Sequence, residues 1–137
     1  MKKEKIVIGT GKKKTAVARA RIRKGENVIT VNGRNISTYS PLIQEIIREP
    51  IILANFVVPT LESLDIKVNV SGGGVMSQAY AARTAIGAAL LEWTESEELK
   101  KVFNEYNRNL FVSDTRRKEP KKYLRKGARA KPTKSYR

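Results

Sequence analysis

The chain contains no cysteine and no histidine. The first absence excludes disulfides, thiol nucleophiles and thiolate metal sites; the second removes the imidazole on which most zinc sites and general bases rely. A disulfide-stapled secreted module and a zinc finger are both ruled out. Long apolar runs are missing too: the longest, Ile51 to Val58, is interrupted by Asn55 and is far too short to span a bilayer. Met1 is followed by Lys2-Lys3-Glu4-Lys5 and a brief Ile6-Val7-Ile8, without the apolar core of a signal peptide, so a soluble cytoplasmic protein with no membrane partner is expected. Acids are scarce, at 13 Asp+Glu against 28 Lys+Arg, a net charge of +15 on 137 residues. That length holds one domain, or one domain and a tail. So much charge on so short a chain repels itself, and a polyanionic partner is the natural explanation.

The charge is concentrated at the ends. Residues 1–24 carry ten Lys/Arg and one acid, residues 25–107 six Lys/Arg and ten acids, and residues 108–137 twelve Lys/Arg and two acids. Two basic ends therefore bracket a mildly acidic, apolar-rich middle. The expected organisation is a globular α+β domain over 1–107 and an extended basic arm over 108–137, which orders on its partner.

Within the middle, Lys5 to Gly9 is a candidate first strand. Thr15 to Lys24 alternates Ala18, Ala20 and Ile22 with Arg19, Arg21 and Arg23, the pattern of a half-buried strand whose exposed face is a row of arginines. Val28 to Val31 meets Asn32-Gly33, a strong hairpin signal. Ser40-Pro41 opens a helix with Leu42, Ile43, Ile46 and Ile47 on its apolar side, and Pro50 is expected to end it. The stretch from Ile51 to Leu61 is apolar without a decisive period. Asp65 to Ser71 alternates as another one-sided strand. Val75 to Trp93 reads as a helix, and Ser96 caps a second one with Leu99, Val102, Phe103 and Tyr106 expected inward.

Two glycine clusters invite nucleotide-binding readings, and both fail on spacing. Gly9-Thr10-Gly11-Lys12-Lys13-Lys14-Thr15 lacks the Gly-Lys-Ser/Thr ending and the earlier glycine of a phosphate loop. It reads either as a solvated turn or, with the neighbouring arginines, as a flexible lysine-rich turn on nucleic-acid phosphates; the second is favoured. Gly72-Gly73-Gly74 lacks the third glycine of a dinucleotide fingerprint. A turn needing positive φ accounts for it, with an RNA backbone passing over Gly72, Gly73 and Gln78 as a second possibility. Arg83, farther along the same helix, is either an RNA contact or a solvated residue. Catalytic constellations do not assemble, so no enzyme, metal or cofactor is expected.

The chain resembles the small-subunit ribosomal protein S nine family. The resemblance is carried by Gly9-Thr10-Gly11-Lys12-Lys13-Lys14-Thr15-Ala16-Val17-Ala18-Arg19, Val31-Asn32-Gly33, Val68-Asn69-Val70-Ser71-Gly72-Gly73-Gly74 and Gln78-Ala79 with Ala82-Arg83. It closes on Asp114-Thr115-Arg116-Arg117-Lys118-Glu119-Pro120-Lys121-Lys122 and Gly127-Ala128-Arg129-Ala130, so that it covers essentially the whole chain. The ending Lys134-Ser135-Tyr136-Arg137 is similar to the archaeal and eukaryotic branch. The resemblance implies a sandwich like domain two of ribosomal protein S five, with a left-handed βαβ crossover. It implies ribosomal RNA of the subunit head as partner, neighbouring head proteins, and an arm reaching peptidyl-site transfer RNA through Lys134, Ser135, Tyr136 and Arg137. The expected ribosomal-RNA contacts are Lys12, Lys13, Lys14, Arg19, Arg21, Arg23, Gly72, Gly73, Gln78 and Arg83, joined by the arm's Arg116, Arg117, Lys121, Lys122, Arg125, Lys126, Arg129 and Lys131. Tyr123 and Tyr136 offer rings for stacking. A free-standing RNA-binding module or RNA chaperone is the alternative that charge alone allows.

Overall fold

Three of the sheet's five strands have one buried and one exposed face, and in two of them this follows from alternating apolar and polar side chains. The computed structural model describes residues 4–59, 61 and 63–135. In chain order come β1 (Ile6–Lys13), β2 (Ala16–Lys24), β3 (Ile29–Val31), β4 (Arg34–Asn35), α1 (Pro41–Val57), β5 (Leu64–Ser71), α2 (Val75–Thr94) and α3 (Glu97–Asn107), with short 3₁₀ turns at Ile36–Thr38 and Arg108–Leu110. The sheet order is β1-β2-β5-β3-β4. Every pairing is antiparallel except β3 with β5, which α1 joins as a crossover.

The helices cover one face of the sheet. Ala18, Ala20, Ile22, Ile66 and Val68 point into this layer, against Ala82, Ala85, Ile86 and Ala89 of α2, all of them buried. Alanine on both sides brings helix and sheet close together. That approach explains β1, which runs through Lys13 rather than ending at Gly9. Gly9 and Gly11 share the buried side with Val7, and a Cβ on either would strike a backbone carbonyl of α2, Ala85 or Ala81. The glycines expected to make a flexible turn are therefore strand residues that let α2 lie on the sheet. The turn itself is confined to Lys14-Thr15, with Lys14 at φ +55°.

The Asn32-Gly33 turn forms as expected, at φ +49° and +78°. Asn32 adds a contact the sequence did not announce: its carboxamide accepts from Val70 N–H at 2.8 Å and donates to Val70 C=O at 3.1 Å, acting as a strand partner to β5. Pro50 does not end α1, which continues to Val57 and gives structure to the untyped segment after it. Proline removes one hydrogen bond from a helix interior, but Pro50 lies on the buried stripe Ile43, Ile47, Pro50, Ala54, and packing against the core carries the helix past it. In α3, Ser96 Oγ caps Leu99 N–H, and Leu99 and Phe103 are buried. Tyr106, expected inward, is 58% exposed at the helix end. Packing continues beyond residue 107: Leu110 is buried, and its carbonyl lies where a Cβ on Gly87 would be.

Candidate nucleic-acid interface

The face of the sheet turned away from the helices is open. Strand register arranges its side chains in rows: Lys12–Val17–Ser71, Thr10–Arg19–Asn69, Ile8–Arg21–Lys67 and Ile6–Arg23–Asp65. The alternation read from the sequence thus places Arg19, Arg21 and Arg23 on this face, with Arg19 and Arg21 exposed. Register brings up a residue that strand-by-strand reading missed. Lys67 of β5 stands directly opposite Arg21, and like charges so placed destabilise a strand pair. Its signal was present in the alternation of Ile66, Val68 and Val70 with Lys67 and Asn69; what was lacking was the pairing of β2 with β5.

Asp65 is the carboxylate in these rows, and it is already committed. It accepts from Val28 N–H at 3.3 Å, Glu26 N–H at 2.9 Å and the Arg23 guanidinium at 3.1 Å. These donors, Val28 foremost, hold its pKa below the usual carboxylate value against the opposing effect of burial. Arg23 is correspondingly half occupied, and its buried Nε has no acceptor. Arg19, Arg21 and Lys67 form a cationic strip with no carboxylate in their two rows.

At one end of the strip the chain turns gather. Lys12 and Lys14 are exposed beside the Lys14-Thr15 turn, whose Thr15 carbonyl sits next to Gly72. Gly72 and Gly73 are exposed at φ +76° and +65°, the left-handed conformation that the link from β5 to α2 requires. Gln78 is partly buried and donates from Nε2 to Gly72 C=O at 3.1 Å, so it shapes this turn.

Two expected contacts lie elsewhere. Lys13 points to the opposite side of β1 from Lys12, where its ammonium meets Asp114 at 3.1 Å and lies 5.6 Å from the Tyr80 ring. Arg83, expected at RNA or in solvent, is only 8% exposed. It bonds to Glu49 at 2.6 Å and stacks 4.9 Å from the Tyr80 ring, which neutralises its charge inside the helical layer.

The C-terminal segment leaves from the same end of the sheet. Asp114 bridges the free edge of β1: its N–H donates to Lys12 C=O and its C=O accepts from Lys14 N–H, both at 2.9 Å. The Asp114 carboxylate also takes Arg116, at 2.8 Å, and Lys13; the Arg116 contacts foremost, with Lys13, hold its pKa far below the ordinary carboxylate range. Beyond it, residues 115–135 contain no helix or strand. Arg116, Arg117, Lys121, Lys122, Arg125, Lys126, Arg129 and Lys131 are exposed, as is the Tyr123 ring at 91%. Arg129 is paired with Glu119 at 2.7 Å. Lys134 and Ser135 are exposed, whereas Tyr136 and Arg137 lie outside the described residues. Among the described residues, no group of acidic side chains is placed to hold a metal ion, and no helix is long and apolar enough to cross a membrane.

Comparison with known proteins gives one family. The family model described as ribosomal protein S9/S16 matches residues 11–137. The chain is 46% identical to a small ribosomal subunit protein uS9 of Methanothrix thermoacetophila over 134 residues, 97% of this chain and 99% of that one. It is also 46% identical to proteins of the same name from Thermoplasma acidophilum and Thermoplasma volcanium, in each case over 132 residues, 96% of this chain, covering 100% and 98% of theirs.

Proposed function

The chain belongs to the ribosomal protein S9/S16 family, and on that premise we propose that its open sheet face and C-terminal arm bind ribosomal RNA in the head of the small subunit. Membership makes it a structural constituent of that subunit, and the family is not one of enzymes. The observation that carries the RNA reading is the strip of Arg19, Arg21 and Lys67, exposed cations on one face without a carboxylate in their rows. Such an arrangement is unfavourable in a free protein and favourable against phosphates. Lys12, Lys14 and the exposed Gly72-Gly73 turn extend the strip to the root of the arm, where Arg116 to Lys131 add a run of cations an extended chain can place on phosphates at either side. Arg23 joins through the exposed part of its side chain, which stays 43% accessible beside Asp65. Lys13 and Arg83 are engaged internally, so the proposed contact set omits them.

The finer architecture follows the same membership: a sandwich like domain two of ribosomal protein S five with a left-handed crossover between β3 and β5. At the far end of the arm, Lys134, Ser135, Tyr136 and Arg137 reach the transfer RNA of the peptidyl site.

One filter-binding experiment with two arms tests these readings. A chain carrying Arg19→Gln, Arg21→Gln and Lys67→Gln should bind head-domain RNA more weakly, with the log-log salt slope shallower by about 2, at roughly 0.7 per lost phosphate contact. Its melt should not fall, because no core group is touched. Unchanged affinity and slope would remove the sheet face from the RNA interface. Separately, small subunits containing a chain without residues 134–137 should assemble yet hold transfer RNA less tightly. Unaltered transfer-RNA affinity leaves the arm as scaffold alone.

A further inference from the structure

We propose that Tyr123 and Leu124, at the tip of a closed loop within the arm, form a stacking site for one unpaired base of ribosomal RNA. The site rests on the RNA-binding role proposed for the arm, and it adds a contact to a base where that role has contacts to phosphates.

The arm is not extended throughout. Arg129 reaches back ten residues to Glu119, its Nε donating to Oε2 at 3.0 Å and its terminal nitrogen to Oε1 at 2.7 Å. Two parallel contacts fix the orientation of guanidinium and carboxylate as well as their separation. Inside the loop so closed, Arg125 N–H donates to Lys122 C=O at 3.2 Å, which makes Lys122 to Arg125 a four-residue turn. Leu124 holds the third position of that turn at φ +56°, a conformation that favours glycine or asparagine. The other non-glycine residues with positive φ among the described residues are Lys14, Asn27, Asn32 and Glu95, all polar. A leucine in this conformation costs the free chain stability, and nothing internal offsets it: Leu124 is 81% exposed, beside Tyr123 at 91%. Strained residues of this kind cluster where a ligand is clamped.

Charge decides between nucleic acid and protein as the occupant. Lys121 and Lys122 on one side of the tip and Arg125 and Lys126 on the other are all exposed. Glu119 is the single acid of residues 119–129, and Arg129 already neutralises it. A polyanion is drawn to such a tip and another basic protein is repelled from it. Phosphates account for the four cations, but they offer nothing to a phenol ring and an isobutyl group. Those two surfaces match a base that has left its own stack, with the Tyr123 ring against the base and Leu124 covering its edge or the ribose. A base inside a duplex keeps its neighbours, so the site selects a bulge, loop or junction.

The test is filter binding of the full chain to head-domain RNA, comparing Tyr123→Ala and Tyr123→Phe. Neither change alters the net charge, and Tyr123 is exposed, so the melt should stay where it is. Tyr123→Ala should bind about fivefold more weakly or worse, the loss expected for one stacked base. Its log-log salt slope should match that of the parent chain, because no phosphate contact is removed. Tyr123→Phe, which keeps the ring, should bind as the parent does. Unchanged affinity of Tyr123→Ala overturns the stacking site, and so does an equal loss in Tyr123→Phe, which would assign the contact to the hydroxyl. A parent chain that does not bind this RNA would overturn the RNA-binding role itself, so the two failures are distinct. In assembled subunits, a benzophenone amino acid in place of Tyr123 should crosslink to an unpaired nucleotide; a crosslink to a protein overturns the proposal.

Discussion

Arg21 and Lys67 face one another across two antiparallel strands, and neither has a carboxylate in its row. The free protein therefore carries a repulsion that bound phosphate removes. Replacing Arg21 with Gln should raise the urea stability of the isolated chain by about 0.2–1 kcal/mol. The same change should weaken RNA binding and flatten its salt slope by about 0.7 to 0.9. A less stable Arg21→Gln chain would show that the guanidinium has a stabilising partner in the free protein, contrary to the row geometry. Single residues are also where the sequence was least legible. Lys12, Lys13 and Lys14 are identical in composition, yet only strand parity and the fold of residue 114 onto β1 turn Lys13 toward Asp114 and Tyr80. Arg83 carries no mark of its burial until α1 brings Glu49 beside it, 34 residues away in sequence.

Among the elements, alternation and capping were legible because they are local. The arginine row of β2, the Asn-Gly hairpin, β5 and α2 all follow from spacing within ten or twenty residues. Pro50 and the glycines of β1 misled because their meaning is tertiary. A proline that ends an isolated helix is tolerated where the buried stripe continues past it, and a glycine that loosens a turn also admits a helix against a sheet. The tie at Asp114 is another tertiary element, joining the start of the arm to the edge of β1. Its depressed pKa gives the tie a defined pH range. The contribution is complete above the unfolded aspartate value, about 3.9, and is lost as pH falls below that toward the lower folded value. Asp114→Asn should therefore speed tryptic cleavage at Arg116 and Arg117 at pH 7 relative to the parent chain. Equal cleavage rates would mean that the backbone bridge alone holds the arm.

For the whole molecule, the absence of histidine has a direct physical effect. Apart from one α-amino group, no side chain of ordinary pKa changes charge between about pH 5.5 and 8. RNA affinity at fixed salt should accordingly be flat across that range, and a titrating step of more than about threefold would require a strongly displaced lysine or carboxylate. Sheet topology has a different kind of consequence, in time. The middle strand β5 separates β2 from β3, and its pairing residues end at Ser71, while the helix that covers the inner face runs from Val75 to Thr94. During synthesis the β1–β2 hairpin is complete by Lys24, yet it has no neighbour on its inner edge until the chain is nearly three times as long. Over that interval Ala18, Ala20 and Ile22 have no layer to cover them, and the order in which the ribosome delivers the strands, rather than their distance in space, sets when the cationic strip first exists.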